Sequence, residues 1–415
     1  MSEANKPLRV FVAGNFGTAN IGNEATLASM VASLRRIAPG CEIIAVCRDP
    51  QRAESMHGVR AVAIAPPSNR GIAFRILNRL LLRLPIALSM FASALRTLRT
   101  GSLLVVPGTG ALDDQGQSPS DMPLKLATWV QAARVRAMPI CFVSVGAGPI
   151  RHPVSRWLLA RAARQASYRS YRDQGSLDFM AGRGVPARAD HVFPDLVLGD
   201  RFSAEPPDLK ISPLTIGLGV MTYNGWLSER AGAAIYDDYI DRMTALAHAL
   251  LDRGHRIHLL IGERVDRRAC ADLKSRLDKL GQGLSDLIDA PEIETMHDLF
   301  RAIARTQIVI ATRYHNVVAA VHLLRPTISL GYAQKNDELL AEAGLGAYGH
   351  RAETFKVATV LAQLDDMIAK SPAIVGQLRQ LRERHMRAFD RQEGLLLQFV
   401  AATAGASGTT AAVAP

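Results

Sequence analysis

The chain has 415 residues, 48% hydrophobic and 21% charged, with 49 Lys and Arg against 38 Asp and Glu, a formal net charge of +11. That length exceeds one hydrophobic core and calls for two domains, and the composition excludes an intrinsically disordered chain. The positive balance points toward polyanionic partners such as nucleic acid, anionic lipid or charged saccharide carriers.

Short β-rich runs alternate with helix-length amphipathic segments, the pattern of parallel sheets covered by helices. In the first half, strands are expected at 9–13, 42–47, 59–64, 102–106, 140–145 and 167–171, and helices at 24–37, 124–137 and 155–166. From 55 to 112 there is no Asp or Glu, and Arg75, Arg79 and Arg83 recur every four residues, one basic stripe if the segment is helical. Such a segment either makes peripheral contact with an anionic membrane or packs as core with snorkelling arginines. The apolar run that follows contains Pro85 and is too short to span a bilayer.

Pro206, Pro207 and Pro213 mark 200–213 as a linker, so an N-terminal Rossmann-like domain is expected over 1–205 and a C-terminal one over 206–399. In the second, strands are expected at 215–220, 256–261, 307–311 and 326–330, and helices at 231–253, 267–280, 296–305 and 316–324. A long amphipathic segment at 373–399 closes the second domain or crosses back to the first, and 400–415 is expected to be a disordered tail. The expected fold class is therefore α/β, two doubly wound Rossmann-like domains facing a cleft.

In open α/β sheets ligands bind outside the carboxyl ends of the strands, so the loops there carry the candidate chemistry. The first contains Gly14, Asn15, Gly17, Asn20 and Gly22, with Asn20 or Asn23 available to cap the next helix. It fits neither GxGxxG nor GxxxxGK[ST]; it either receives an anion or sugar hydroxyl, or is a plain strand-to-helix turn. The second loop carries Gly108, Gly110, Asp113 and Asp114, paired carboxylates that orient and deprotonate a sugar hydroxyl or cap a helix. The third brings Gly146, and the strand after it ends in Arg172 and the helix-capping Asp173.

The richest stretch is 307–335. It places Arg313, His315 and Lys335 just past two neighbouring strands, pointing at one anionic ligand. A guanidinium offers a planar fork, an ammonium a point charge and an imidazole a proton near neutral pH. His255 and His258, near a strand entrance without ligand-spaced carboxylates, read as structural. No metal is expected, because HExxH, DxD and cysteine clusters are all lacking. Cys41, Cys47, Cys141 and Cys270 form no CxxC pair and no leader is evident, which suits a cytoplasmic protein. Nucleic acid is not an expected partner, for want of interleaved aromatics and of any known binding signature.

Taken in order, GNFGTANIGNEA at 14–25, PGTGALDD at 107–114, SVGAGPI at 144–150, YRDQGSLDFMAGRGV at 171–185 and ATRYHNVVAAVHLLRPTISLGYAQK at 311–335 resemble the polysaccharide pyruvyl transferase family. The resemblance implies a fold like the B-type glycosyltransferases and transfer of a pyruvyl group from phosphoenolpyruvate, the donor substrate, to sugar hydroxyls as a ketal, without a cofactor. It associates Arg313 and His315 with phosphoenolpyruvate. The acceptor would be a sugar of a polysaccharide or a lipid-linked oligosaccharide, handled at the inner face of the plasma membrane. Three departures stand out: Asn23 where many relatives have Asp, Gly-Thr-Gly at 108–110 in place of a glycine triplet, and Met221-Thr222-Tyr223-Asn224 where a strand often ends in Arg. A missing donor contact would then fall to Arg172. Two other readings suit the same architecture, a nucleotide-sugar glycosyltransferase and a non-catalytic membrane-associated subunit of a glycan-assembly complex.

Overall fold

A computed structural model describes residues 8–66, 84–108, 110–114, 118–225 and 227–409. The basic stripe expected at Arg75, Arg79 and Arg83 lies outside the described residues. The chain divides into two compact units at Gly199 and Asp200, with two exchanges: Ala19–Ala25 belongs with the second unit, and residues from Arg387 onward belong with the first.

The first unit holds a seven-stranded sheet in the order β3-β2-β1-β4-β5-β6-β7. Its strands are β1 (Arg9–Ala13), β2 (Glu42–Cys47), β3 (Arg60–Ala63), β4 (Leu103–Pro107), β5 (Ile140–Val145), β6 (Tyr168–Tyr171) and β7 (His191–Val192), and every pairing is parallel. The central strands β4 and β5 are buried at every residue, as their unbroken apolar runs require of strands covered on both faces. Helices α1 (Ile21–Ile37), α2 (Pro50–His57), α3 (Leu84–Thr97), α4 (Met122–Val135), α5 (Pro153–Arg164) and α6 (Gln174–Ala181) connect them. Pro85 sits in the opening turn of α3, where its missing N–H costs no helical bond. The core packs Phe11, Leu104, Trp129, Phe142 and Leu159 together.

The second unit repeats the plan with six parallel strands in the order β10-β9-β8-β11-β12-β13. They are β8 (Thr215–Gly219), β9 (Arg256–Leu260), β10 (Ile288–Asp289), β11 (Ile308–Ala311), β12 (Thr327–Gly331) and β13 (Gly349–Arg351). The helices are α7 (Ala233–Asp252), α8 (Arg267–Leu280), α9 (Met296–Ala304), α10 (Tyr314–His322), α11 (Gln334–Glu342) and α12 (Val357–Ala369). Both units are thus parallel-sheet Rossmann-like α/β structures.

Helix α13 (Ser371–Thr409) begins in the second unit and ends in the first. In the first unit its Gln392 is buried and donates to Ser144 and Ser170 Oγ at 2.8 and 3.0 Å. Within the tail expected to be disordered, the described helix runs on to Thr409. No described helix is long and apolar enough to cross a membrane.

Candidate active site

In the second unit the strand order reverses between β8 and β11, and the loops leaving the carboxyl ends of such strands are where doubly wound sheets bind ligands. Arg313 is the N-cap residue of α10, His315 lies in the first turn of α10, and Lys335 lies in the first turn of α11. The sequence thus places all three at this edge.

Their states differ. Arg313 is only 8% exposed. Its Nε and Nη2 donate to the two oxygens of Asp266 at 2.9 and 2.7 Å, and its Nη1 lies 3.1 Å from Glu263. Burial would lower the guanidinium pKa, but the Asp266 and Glu263 carboxylates outweigh it and hold the group above its ordinary value. All three of its nitrogens engage protein carboxylates, the counterions that a buried charge requires. Two acids against Arg313 and Lys335 also leave this set without net positive charge.

Asp266 lies outside every motif singled out in the sequence, yet it organises the edge. Fully buried, it also accepts from the backbone N–H groups of Thr222, Gly262 and Glu263 at 2.9, 3.2 and 3.0 Å. One carboxylate thereby ties together the segments following β8, β9 and β11. The only hint of it in the sequence is Glu263-x-x-Asp266, a capping box at a short 3-10 turn.

His315 is half-buried, and its ring occupies space left by Gly22: a Cβ built on Gly22 would come within 2.0 Å of His315 Cε1. Gly22 belongs to the first turn of α1, in the stretch that joins the second unit. Asn20, expected to meet a ligand, anchors that turn instead: its Oδ1 accepts from Asn23 N–H at 3.0 Å and its Nδ2 donates to Glu263. Ile21 N–H adds a bond to the Gly262 carbonyl at 3.2 Å. The imidazole accordingly sits beside the starts of both α1 and α10, whose dipoles favour negative charge.

Lys335 lies over two aromatic faces, its Nζ 4.9 Å from the Tyr314 ring centre and 5.7 Å from that of Tyr332. Tyr314 meets His315 edge-on at 5.3 Å, and Tyr332 stacks on Tyr223 at 6.1 Å. The Tyr223 hydroxyl donates to Glu353; burial and that carboxylate both push its pKa up, so it stays protonated. No side chain caps α10 or α11, and their opening N–H groups add two partial positive charges to the ammonium of Lys335.

In the first unit the order reverses between β1 and β4. Gly14 serves packing, since a side chain there would strike the Phe16 ring, and Asn15 accepts from Arg48 Nε. Gly108 has φ +43° and lies against Thr26, a backbone position that disfavours any side chain. Gly110 leaves room for the half-buried carboxylate of Asp113. Asp114 is buried and accepts from the N–H groups of Arg151 and His152, both at 2.9 Å. That fixes the loop ahead of α5, whose N-cap is His152 rather than Asp114. Gly146 lies against the guanidinium of Arg172, whose Nε donates to Asp173 at 3.1 Å and whose Nη1 is 3.9 Å from buried Asp195. Arg172 is thus tied to acids of its own unit, and Asp173 caps α6 as expected.

Among the described residues no cluster of three His, Cys, Asp or Glu side chains could hold a metal. A cavity of about 800 Å³ lined by Thr215, His255, His258, Asp289 and Arg305 opens at the opposite, amino-terminal edge of the second sheet. There His258 is buried with its Nδ1 3.0 Å from Asp289, and burial lowers its pKa, a structural role.

Residues 20–334 match the polysaccharide pyruvyl transferase family. The chain belongs to that family. None of the curated proteins matches this chain by sequence. Among solved structures it is similar to a UDP-GlcNAc 2-epimerase from Neisseria meningitidis bound to UDP-GlcNAc, with 11% identity, TM-score 0.59, and coverage of 94% of this chain and 100% of that one. It is also similar to a UDP-GlcNAc 2-epimerase from Methanocaldococcus jannaschii (10% identity, TM-score 0.59, 87% and 92% covered). A glycosyltransferase from Rickettsia africae gives 10% identity and TM-score 0.56, with 96% and 99% covered. At these identities the likeness is one of fold, and it places the chain in the two-domain architecture shared by epimerases and B-type glycosyltransferases.

Proposed function

We propose that this pyruvyl transferase moves the pyruvyl group of phosphoenolpyruvate onto two hydroxyls of one sugar in a polysaccharide or lipid-linked oligosaccharide, forming a ketal and releasing phosphate. The observation that carries the reading is the placement, in a chain of this family, of His315 and Lys335 at the uncapped starts of α10 and α11. A proton must reach the methylene carbon of the enol phosphate, two sugar oxygens must bond to its central carbon, and the carbon–oxygen bond to phosphate must break. The two hydroxyl protons balance the step, one replacing the proton delivered to carbon and the other leaving with phosphate.

His315 is the acid–base residue in this scheme. Lys335 and the two helix starts hold the anionic donor and stabilise charge on the departing phosphate, where each oriented group contributes several kcal/mol. Arg313 acts through Asp266, keeping the α10 turn in place. Asp113 is the candidate for orienting the acceptor hydroxyl. Donor and acceptor substrates supply every reacting atom, so the scheme uses no cofactor.

The test is a phosphate-release assay with donor and acceptor, beside a calorimetric titration with phosphoenolpyruvate alone. His315→Ala is expected to lower turnover by about 100-fold or more while its circular dichroism is unchanged. Undiminished turnover removes His315 from the mechanism. Binding of a UDP-sugar with no response to phosphoenolpyruvate overturns the reaction class in favour of glycosyl transfer, and binding of neither favours a non-catalytic subunit.

A further inference from the structure

Three helices of the first unit, α3, α4 and α5, pack side by side, with Arg136 at the end of α4 donating to the Leu95 carbonyl of α3 at 2.9 and 3.1 Å. Each leads into the next parallel strand, β4, β5 and β6 respectively, so all three run the same way and their ends fall in register. On this face Leu84 and Leu88 of α3 are 57% and 59% exposed, Val135 of α4 is 58% exposed, and Val154 and Trp157 of α5 are 48% and 59% exposed. Exposed arginines are interspersed with them, Arg96 on α3, Arg134 on α4 and Arg156 and Arg161 on α5, and the Arg161 guanidinium lies 5.9 Å from the Trp157 ring centre. The three helices carry no Asp or Glu of their own, although Asp121, the N-cap residue of α4, pairs with Lys125 at 2.5 Å.

Dipole complementation covers part of this, because arginines near helix C-termini offset the negative end of the helix. Arg164 fits that account, donating to the backbone carbonyls of Arg183 and Gly184 at 2.7 and 2.9 Å. It does not explain five large apolar side chains exposed across three neighbouring helices, none of which has an acid between its first and last residue. A second copy of the same face would bring like charge onto like charge, which disfavours self-association.

We propose that this α3–α5 face docks the protein on an anionic lipid surface, with Leu84, Leu88, Val154 and Trp157 entering the headgroup region and Arg96, Arg134 and Arg161 meeting lipid phosphates. The occupant follows from the mixture: an interfacial surface pairs exposed apolar side chains that include Trp with cations at headgroup level. The proposal goes beyond the reaction assigned above and stands on different residues.

The experiment is co-sedimentation of the full chain with vesicles of phosphatidylcholine alone and with phosphatidylglycerol added. Binding is expected only with the anionic lipid, and weaker at raised salt. Each Arg→Gln change at 96, 134 or 161 should reduce partitioning about fivefold. Trp157→Ala should weaken binding, whereas Trp157→Phe should retain it and abolish the vesicle-induced blue shift of tryptophan emission. Three results overturn the proposal: a chain left in the supernatant with anionic vesicles at low salt, variants that bind as the parent does, or variants that alter the oligomeric state without lipid. Phosphate release from soluble substrates should be unchanged in all of them, which separates this outcome from failure of the catalytic reading.

Discussion

Asp266→Asn keeps the size of a fully buried side chain and removes its charge. The carboxylate accepts from three backbone N–H groups and two nitrogens of Arg313. An amide has one oxygen to offer and turns a donor toward the remaining donors. At least two N–H groups then stay buried without acceptors, at about 1–3 kcal/mol each, and Arg313 keeps only Glu263 as counterion. Removing one partner of a buried ion pair typically costs about 3–5 kcal/mol, and that loss is expected here. Urea unfolding followed by far-ultraviolet circular dichroism reads it as a lowered midpoint. The double variant Asp266→Asn with Arg313→Met should recover part of the loss, because the stranded charge is gone. A single variant within about 1 kcal/mol of the parent, or strictly additive losses, would refute the view that one carboxylate secures these three segments.

Gly22→Ala places a methyl group on the His315 ring position, 2.0 Å from Cε1, so the ring must shift to make room. Stability should change by less than about 1 kcal/mol, while phosphate release falls by about 10-fold or more; equal turnover would detach His315 from its seat on α1. His322 is buried against the Phe202 carbonyl, and burial lowers its pKa from 6.5 to about 4. Between those values the unfolded chain takes up a proton that the folded one refuses, so stability is level above pH 6.5 and falls by about 3 kcal/mol on acidification to pH 4. His322→Gln should flatten that part of the pH profile measured by urea titration. Asp114→Ala should cost about 1–2 kcal/mol with turnover per folded molecule intact, whereas Asp113→Ala should leave stability alone and slow phosphate release.

Strands are the easiest elements to read from the residues. β1, β2 and β5 fall at the expected positions, because a strand covered on both faces must be apolar throughout and its ends are marked by glycine or polar turns. Short edge strands such as β7 and β10 leave no such mark, being only two residues long with a single buried position at most. Helix α11 is not evident in the sequence because its first turn, Gln334-Lys335-Asn336-Asp337, is polar and its buried Leu339 and Leu340 come late. Residue types near the site are legible, but their partners are not. Arg313 advertises charge without showing that Asp266, 47 positions earlier, already holds it. Lys335 gives no sign in the sequence of the two rings beneath it, since only folding brings Tyr314 and Tyr332 under its ammonium.

The exchange of segments between the two units has a bearing on how the protein is made. Gln392 and its neighbours complete the first unit, yet they leave the ribosome only after the whole second sheet has been synthesised. The unit begun first is therefore finished last, and the Ser144–Ser170 edge must wait for its strut while residues 200–386 emerge. A nascent chain halted at residue 386 should expose that edge to proteases, and one halted beyond the strut should not.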